Sequence, residues 1–414
     1  MSSVSAGGVP RTLLWFLICT AFLGAMGIGL VNPIVPYLAE RFTTQRDLAL
    51  VLGVLAISYS GAAFLAAPAL GALSDRYGRR PVLLISVLGS ALGYALFGAA
   101  QATWVLIVGR LIDGLTAGNF SAAFAALADS TRPADRARNF GYLGASAGAG
   151  LIAGPAIGGL LAHFGPAAPL YFAAALCFAN ALFGFLFMPE TRASDAPYEP
   201  ISLVRLNPLR QIRLLLELPA LRSLLVASVL FAIPFAMMTT LLALLSKDRL
   251  AWSASQASTV FIAVGLCDVA VQGALLGPLL KRWGERRAAL IGLALTSAGL
   301  AGMALISALP WTALMFAAVV AFAVGEGIFS ACLSALLSLA AGPDAQGRVQ
   351  GGSQGLQSLA QIAGPLAGGF LYARVHPALP FALGVALLLG AAALFPRTEV
   401  QCSTQERPLS PNSN

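Results

Sequence analysis

Gly71-Ala72-Leu73-Ser74-Asp75-Arg76-Tyr77-Gly78-Arg79-Arg80 joins two long apolar runs. Half a chain later, Gly277-Pro278-Leu279-Leu280-Lys281-Arg282-Trp283-Gly284-Glu285-Arg286-Arg287 repeats it. A second pair recurs at nearly the same offset: Ala153-Gly154-Pro155 followed by Gly158-Gly159 returns as Ala363-Gly364-Pro365 followed by Gly368-Gly369. Upstream of each, Arg138 matches Arg348 and Gly141 matches Gly351. Two apolar halves with the same basic loop point to two related membrane bundles with a site between them.

The composition agrees. The 414 residues are 58% hydrophobic and 10% charged, with a mean hydropathy of +0.81. A soluble domain carries about a quarter charged residues. The charges gather between apolar runs of ~18 residues or more, the signature of a polytopic helical membrane protein. The net charge of +8 is therefore read as an orientation signal and not as nucleic-acid binding. Cys19, Cys177, Cys267, Cys332 and Cys402 are scattered and lack metal-ligand spacing, and His163 and His376 stand near helix ends. No disulfide framework, metal site or cofactor is expected. No phosphate-binding loop, Ser/His/Asp set or Cys/His pair suggests an enzyme or an ATP-driven pump.

The pattern predicts twelve helices, at 13–38, 48–73, 81–101, 104–128, 140–163, 168–188, 220–246, 255–280, 287–308, 312–340, 350–373 and 378–396. The fold class is thus all-α, two pseudo-symmetric six-helix bundles at 13–188 and 220–396. A tail at 1–12, a linker at 189–219 and a tail at 397–414 complete the chain. The first run is too long for a signal-peptide core and is read as a retained helix. Twelve crossings put both termini on one face. Of the 25 basic residues, Arg41, Arg46, Lys247, Arg249 and Arg374 fall on the other face, Arg110 falls inside a span, and the rest share the face of the termini. That bias assigns the termini and linker to the cytoplasm of a bacterial inner membrane. In the linker, Ile201, Leu203, Val204, Leu206, Leu209 and Ile212 interleave with Arg205, Arg210 and Arg213. This fits an amphipathic helix on the inner membrane surface, or else a solvated connection.

Charges inside spans are costly and select candidate sites. Arg110 has Asp113 three residues on, on the same helical face, so an ion pair is easy. Either Asp113 gains and loses a proton during turnover under the influence of Arg110, or the pair is structural. Asp268, with Gln272 one turn on, and Glu326 are the other embedded acids, suited to protons or cationic cargo. For Glu326, within Val324-Gly325-Glu326-Gly327-Ile328, a hydrogen bond across a close helix contact is the alternative. Asn32, Asn119, Phe120, Phe235, Gln272, Gln354, Gln357 and Gln361 are candidates for lining a cavity. Gly154, Pro155, Gly158, Gly159, Gly364 and Pro365 would let helices approach and bend, as hinge or as packing.

The loop Gly71–Arg80 followed by Pro81-Val82-Leu83-Leu84 resembles the signature loop of the major facilitator superfamily. Ala25-Met26-Gly27-Ile28-Gly29-Leu30 with Pro33 and Pro36 is similar to the first helix of its twelve-helix drug:proton antiporters, tetracycline-exporter branch. Gly109-Arg110 with Gly114, and Gly141, Gly144 and the Gly154–Gly159 stretch, are similar to their fourth and fifth helices. The resemblance implies that Asp75, Arg76, Arg79, Arg80 and Asp129 form a charge latch, with Asp75 facing the eleventh helix and Arg79 pairing with Asp129. Three positions depart from the pattern: Gly24, Gly93 and Thr296 stand where the tetracycline exporters carry membrane aspartates.

The expected function is a proton-coupled exporter of small, mainly apolar or cationic compounds by alternating access, acting as a monomer. Its expected partners are substrate, protons and the lipid bilayer. The alternative is a metabolite or sugar carrier of the same fold.

Overall fold

In hydrocarbon the backbone must satisfy its own polar groups, so apolar runs of this length fold as helices. The structure, a computed structural model, describes residues 9–117, 119–132, 135–191, 219–341 and 346–395, and no strand occurs among them. The two tails beyond these bounds, most of the linker and its amphipathic stretch lie outside the described residues.

The first half contributes Arg11–Ala39, Leu48–Tyr77, Arg79–Gly98, Thr103–Leu115 continued by Asn119–Ser130, Arg136–Leu161 and Ala168–Phe187. The second contributes Pro219–Leu250, then Ala254–Ala270 running through a π turn at Val271–Leu275 into Leu276–Ile306. Thr312–Ala341, Gln346–Arg374 and Leu379–Leu394 follow. Gly284, at φ 71°, divides Leu276–Ile306 into the end of the eighth span and the ninth. Counted this way the described helices make twelve spans, named below by order.

One expected span is interrupted. The fourth was predicted continuous over 104–128, yet the helix stops at Leu115. At the stop, the Thr116 hydroxyl donates back to the carbonyls of Ile112 (2.8 Å) and Asp113 (3.2 Å). A side chain that offers the backbone an alternative partner weakens the ladder where it sits.

Both loop glycines are conformational necessities. Gly78 has φ 104° and Gly284 φ 71°, a region that side chains other than glycine's rarely enter. Past Gly78, the backbone amides of Arg79 and Arg80 donate to the Glu190 carboxylate at 2.8 and 3.1 Å. A carboxylate at a helix start satisfies orphan N–H groups and the helix dipole together.

The duplicated glycine motif serves both bundles alike. Within the first bundle the fifth span packs on the first, and within the second the eleventh packs on the seventh. A side-chain carbon at Gly154 would lie 2.8 Å from Leu30 N, and one at Gly364 would lie 2.7 Å from Ile233 O. The last glycine of each motif faces across the bundles. A carbon at Gly159 would lie 2.8 Å from Ser258 Cβ, and one at Gly369 3.2 Å from the Ala49 carbonyl carbon. So the fifth span meets the eighth, and the eleventh meets the second, at near backbone contact.

Candidate functional site

Asp113 is 4% exposed. Ser90, from the third span, donates to its Oδ1 at 2.8 Å, and Arg110 Nη1 lies 3.5 Å from its Oδ2. The Arg110 guanidinium also stacks on Tyr59 (4.9 Å to the ring centre) and Phe97 (5.5 Å). An intramembrane arginine is thus held by one acid and two aromatic faces. Arg110 borders a gap of about 30 Å³ with Asn32 and, from the second bundle, Thr239 and Thr240. The buried ion pair therefore sits where the bundles meet.

The second bundle holds a larger cavity of about 270 Å³. Phe231 and Phe235 of the seventh span, Glu326, Ser330 and Ser334 of the tenth, and Gln357 and Gln361 of the eleventh line it. Phe235, Glu326, Gln357 and Gln361 of the expected set come together here. Glu326 owes its place to its neighbours. A carbon at Gly325 would lie 2.5 Å from Thr296 Oγ1 of the ninth span, and one at Gly327 3.2 Å from Val271 of the eighth. Gly-Glu-Gly thus wedges the tenth span between two others and brings it beside Asp268, whose Oδ1 would lie 3.5 Å from a carbon at Gly327. Asp268 comes just before the π turn, a helix irregularity common at functional sites.

Gln272 falls inside that turn, exposed. It is not among the residues bordering the cavity, and Asp268 Oδ1 receives no N–H or hydroxyl donor. The side chains of Asn119, Phe120 and Gln354, and that of Arg348, lie outside the described residues.

At the basic loop face, Arg79 Nε donates to Asp129 Oδ2 at 2.9 Å. Its Nη1 donates to Asp75 Oδ1 at 2.5 Å and to Ser74 Oγ at 3.1 Å. Arg80 Nη2 donates to the Phe185 carbonyl at 2.5 Å, and Arg76 lies over Tyr77. These contacts are all within the first bundle. Asp75 has 65% of its side chain exposed. Carbons placed at Gly71, Gly141, Gly144, Gly148, Gly273 and Gly277 meet no atom within 4 Å. The second, fifth and eighth spans, which carry these residues, are in tight contact at their other ends.

At the opposite face the bundles are tied together. Lys247 pairs with Glu40 at 2.5 Å, Arg374 with Asp47 at 2.6 Å, and Tyr37 donates to the Trp252 carbonyl at 2.7 Å. Within the second bundle, Tyr372 donates to Asp248 at 3.1 Å beside these ties. Among the described residues, the side-chain ties between the bundles lie at this face. Glu40, Asp47, Lys247 and Arg374 were absent from the expected latch. Their signal was available: the few basic residues of this face are accompanied by Glu40, Asp47 and Asp248, an almost balanced set.

The three departures also acquire a geometry. Gly24 borders a small space with Thr20, Ser90, Tyr94 and Asn180, where Asn180 donates to Thr20 at 2.9 Å. A carbon at Gly93 would lie 2.8 Å from Asp113 Cβ, so the acid missing from the third span faces one on the fourth. Thr296 is buried and donates to the Gly292 carbonyl.

Two bundles of six spans, an ionic pair at their junction and closure at one face define a membrane transporter rather than an enzyme. Residues 17–351 and 247–410 match the Major Facilitator Superfamily profile. The chain belongs to that superfamily. It is 35% identical over 373 residues to the class C tetracycline resistance protein of Escherichia coli, covering 90% of this chain and 92% of that one. It is 36% identical over 351 residues to the class G protein of Vibrio anguillarum, covering 84% and 88%. Among solved structures, the human organic anion transporter MFSD10 (TETRAN) superposes with a TM-score of 0.69 at 24% identity, covering 93% of this chain and 99% of that one. That likeness speaks to the fold alone.

Proposed function

We propose that this chain is a proton-coupled exporter of small, mainly apolar or cationic compounds, resident in a bacterial inner membrane with both termini in the cytoplasm. The observation that carries the reading is Asp113, buried within the first bundle and shared between Ser90 and Arg110, whose guanidinium reaches the bundle junction. Its likeness over nearly full length to tetracycline resistance proteins supports export. With the basic face inward, the described conformation is inward-open. Residues 13–188 and 220–396 are then the two moving bodies, linked by 189–219, and one chain holds a complete site.

Asp113 takes up a proton and Arg110 loses its ionic partner. Arg110 stays beside Thr239 and Thr240 of the other bundle and changes what it holds across the junction. Proton occupancy thereby biases one bundle arrangement over the other, as coupling requires. The loop residues Asp75, Arg76, Arg79, Arg80 and Asp129 form the inner latch in the opposite, inward-closed state.

Everted vesicles energised by a proton gradient test this against a compound panel. Wild type is expected to concentrate at least one compound. Asp113→Asn is expected to abolish gradient-driven uptake while permitting equilibration, and Arg110→Ala to abolish both. Gradient-driven uptake by both variants at the wild-type rate refutes the coupling role.

A further inference from the structure

We propose that the basic loop of the second bundle is a binding site for the headgroup of an anionic phospholipid of the inner leaflet, its phosphate held by Lys281, Arg282 and Arg287. The site is independent of what the chain exports.

The two copies of the loop share a glycine turn and differ in charge. In the first, the cations are answered from within the chain. Arg79 is held by Asp75 and Asp129, and the Arg79 and Arg80 amides donate to Glu190 at 2.8 and 3.1 Å. In the second, Lys281 takes the place of Asp75. Pro189-Glu190-Thr191, which carries the carboxylate, returns after the twelfth span as Pro396-Arg397-Thr398. Two acids of the first copy thus have basic counterparts, and residues 281–287 include one acid, Glu285, among four cations. Arg286 has an interaction of its own. Lys281, Arg282 and Arg287 are exposed and make no ion pair with a described residue. A carbon at Gly78 would run into the Glu190 carboxylate, whereas one at Gly284 meets no described atom within 4 Å. An anion reaches this place from inside the chain in one half and from outside it in the other.

The surroundings select a lipid over a soluble anion. Lys281 and Arg282 end the eighth span and Arg287 begins the ninth, so the three flank one turn at Gly284. The ninth span packs on the tenth through Gly292 and Gly299, and on the twelfth through Leu300. Arg287, Ala294, Ala298 and Leu305 are exposed. Their spacing places them on one helical face, turned away from both neighbours. An exposed apolar face of a membrane span meets acyl chains, so Arg287 stands at the headgroup end of that face. Trp283, 39% exposed, precedes the turn, and Arg282 lies over its ring at 5.9 Å. Tryptophan favours the boundary between hydrocarbon and headgroups. A phospholipid therefore meets the site at two levels, phosphate at the cations and chain along the ninth span, where a soluble anion meets only the first.

The chemistry of the three side chains fits a phosphodiester. Arg282 and Arg287 offer planar donor forks that match phosphate oxygens, and Lys281 adds a point charge. Every basic residue near an anionic leaflet feels a diffuse attraction that fades within a Debye length. Cations on both sides of one tight turn add a direct contact to that background. The chain's own tail is a poor competitor, because its side chains at 397–414 set Arg397 and Arg407 against Glu399 and Glu406.

Native mass spectrometry of the full-length protein in detergent reads the binding of phosphatidylglycerol and of phosphatidylcholine with the same chains. Phosphatidylglycerol is expected to be retained selectively, with affinity falling as salt rises. Arg282→Gln with Arg287→Gln is expected to weaken that binding about thirtyfold. Lysine at both positions is expected to keep the selectivity, which separates charge from folding. Arg132→Gln with Arg138→Gln removes the same charge from the same face, where both arginines pair with Asp135, and is expected to change the binding by about twofold at most. Glycerol phosphate, the headgroup without chains, is expected to leave the lipid in place. Equal retention of the two lipids, equal losses in the two glutamine double variants, or displacement by glycerol phosphate overturns the proposal. A protein dimer that is lost in Arg282→Gln with Arg287→Gln, with lipid binding unchanged, assigns the surface to a second copy and overturns it as well.

Discussion

Gly369→Ala is the sharpest mechanical test of how the outer closure is held. The new methyl carbon would lie 3.2 Å from the Ala49 carbonyl carbon and 3.6 Å from Leu50 Cα, and closer still to the Ala49 oxygen. All three are backbone atoms of the second span, so no side-chain rotation relieves the contact. Overpacking of this kind costs about 1–3 kcal/mol. The cost falls on the closed arrangement, because separating the second and eleventh spans removes the clash. At 1.4 kcal/mol per tenfold, about 1–3 kcal/mol multiplies the ratio of outward-open to inward-open molecules by roughly 5 to 150. The nearby ion pair Arg374–Asp47 is about one-third or more exposed on both sides, and such pairs contribute about 0–1 kcal/mol. It cannot hold the closure against that shift. Spin labels at Thr44 and Ala378, on the outer ends of the two bundles, report the separation by pulsed electron resonance. Wild type is expected to give a single short distance and Gly369→Ala a second, longer one. Gly141→Ala, whose added carbon meets no atom within 4 Å in this state, serves as the control and leaves the short distance dominant. Identical distance distributions for wild type and Gly369→Ala, with both proteins monodisperse, would show that this close approach does not limit the closure.

Two further outcomes follow from the same contacts. Neutralising the outer ties with the pair Lys247→Gln and Arg374→Gln, at about 0–1 kcal/mol for each of two pairs, is expected to move the spin-label populations in the same direction as Gly369→Ala but less, by about thirtyfold at most. Raising ionic strength should shift wild type and leave the double variant unmoved, and a larger shift from the charges than from the glycine would reverse the ranking given above. Because Gly93 abuts Asp113, the double exchange Gly93→Asp with Asp113→Gly is expected to keep the acid in the same small volume. It should recover gradient-driven transport in everted vesicles relative to Asp113→Gly alone. Equal inactivity of the two variants, both well folded, would tie the role to the fourth span itself.

Much of the scaffold was legible because its constraints are local or repeated. Gly78 and Gly284 announced themselves through a repeated loop, and both turn out to occupy backbone angles that require glycine. Arg110 and Asp113 were legible because three residues on one helix fix their distance in advance. The break after Leu115 was not, since apolar periodicity continues through it while the Thr116 hydroxyl bonds back to the preceding turn. The nearness of the Gly325–Gly327 stretch to Asp268 was illegible for a different reason. It depends on how deeply the tenth span wedges between the eighth and ninth, which is set by Gly325 and Gly327 against atoms far away in sequence. The outer ion pairs join residues from different bundles, so each charge taken alone reads as a topology signal.

The duplication and the site chemistry part company at this point. The glycine motif kept the same two duties in each half, packing within its bundle and across to the other, so the moving parts remain symmetric. The buried charges did not. The first bundle carries an acid, Asp113, already compensated by Arg110, which itself borders the junction. The second carries two acids without a cation, beside an aromatic cavity within the bundle. Identical halves would place equivalent charges at equivalent positions, whereas here a symmetric frame of glycine contacts carries an asymmetric set of buried charges.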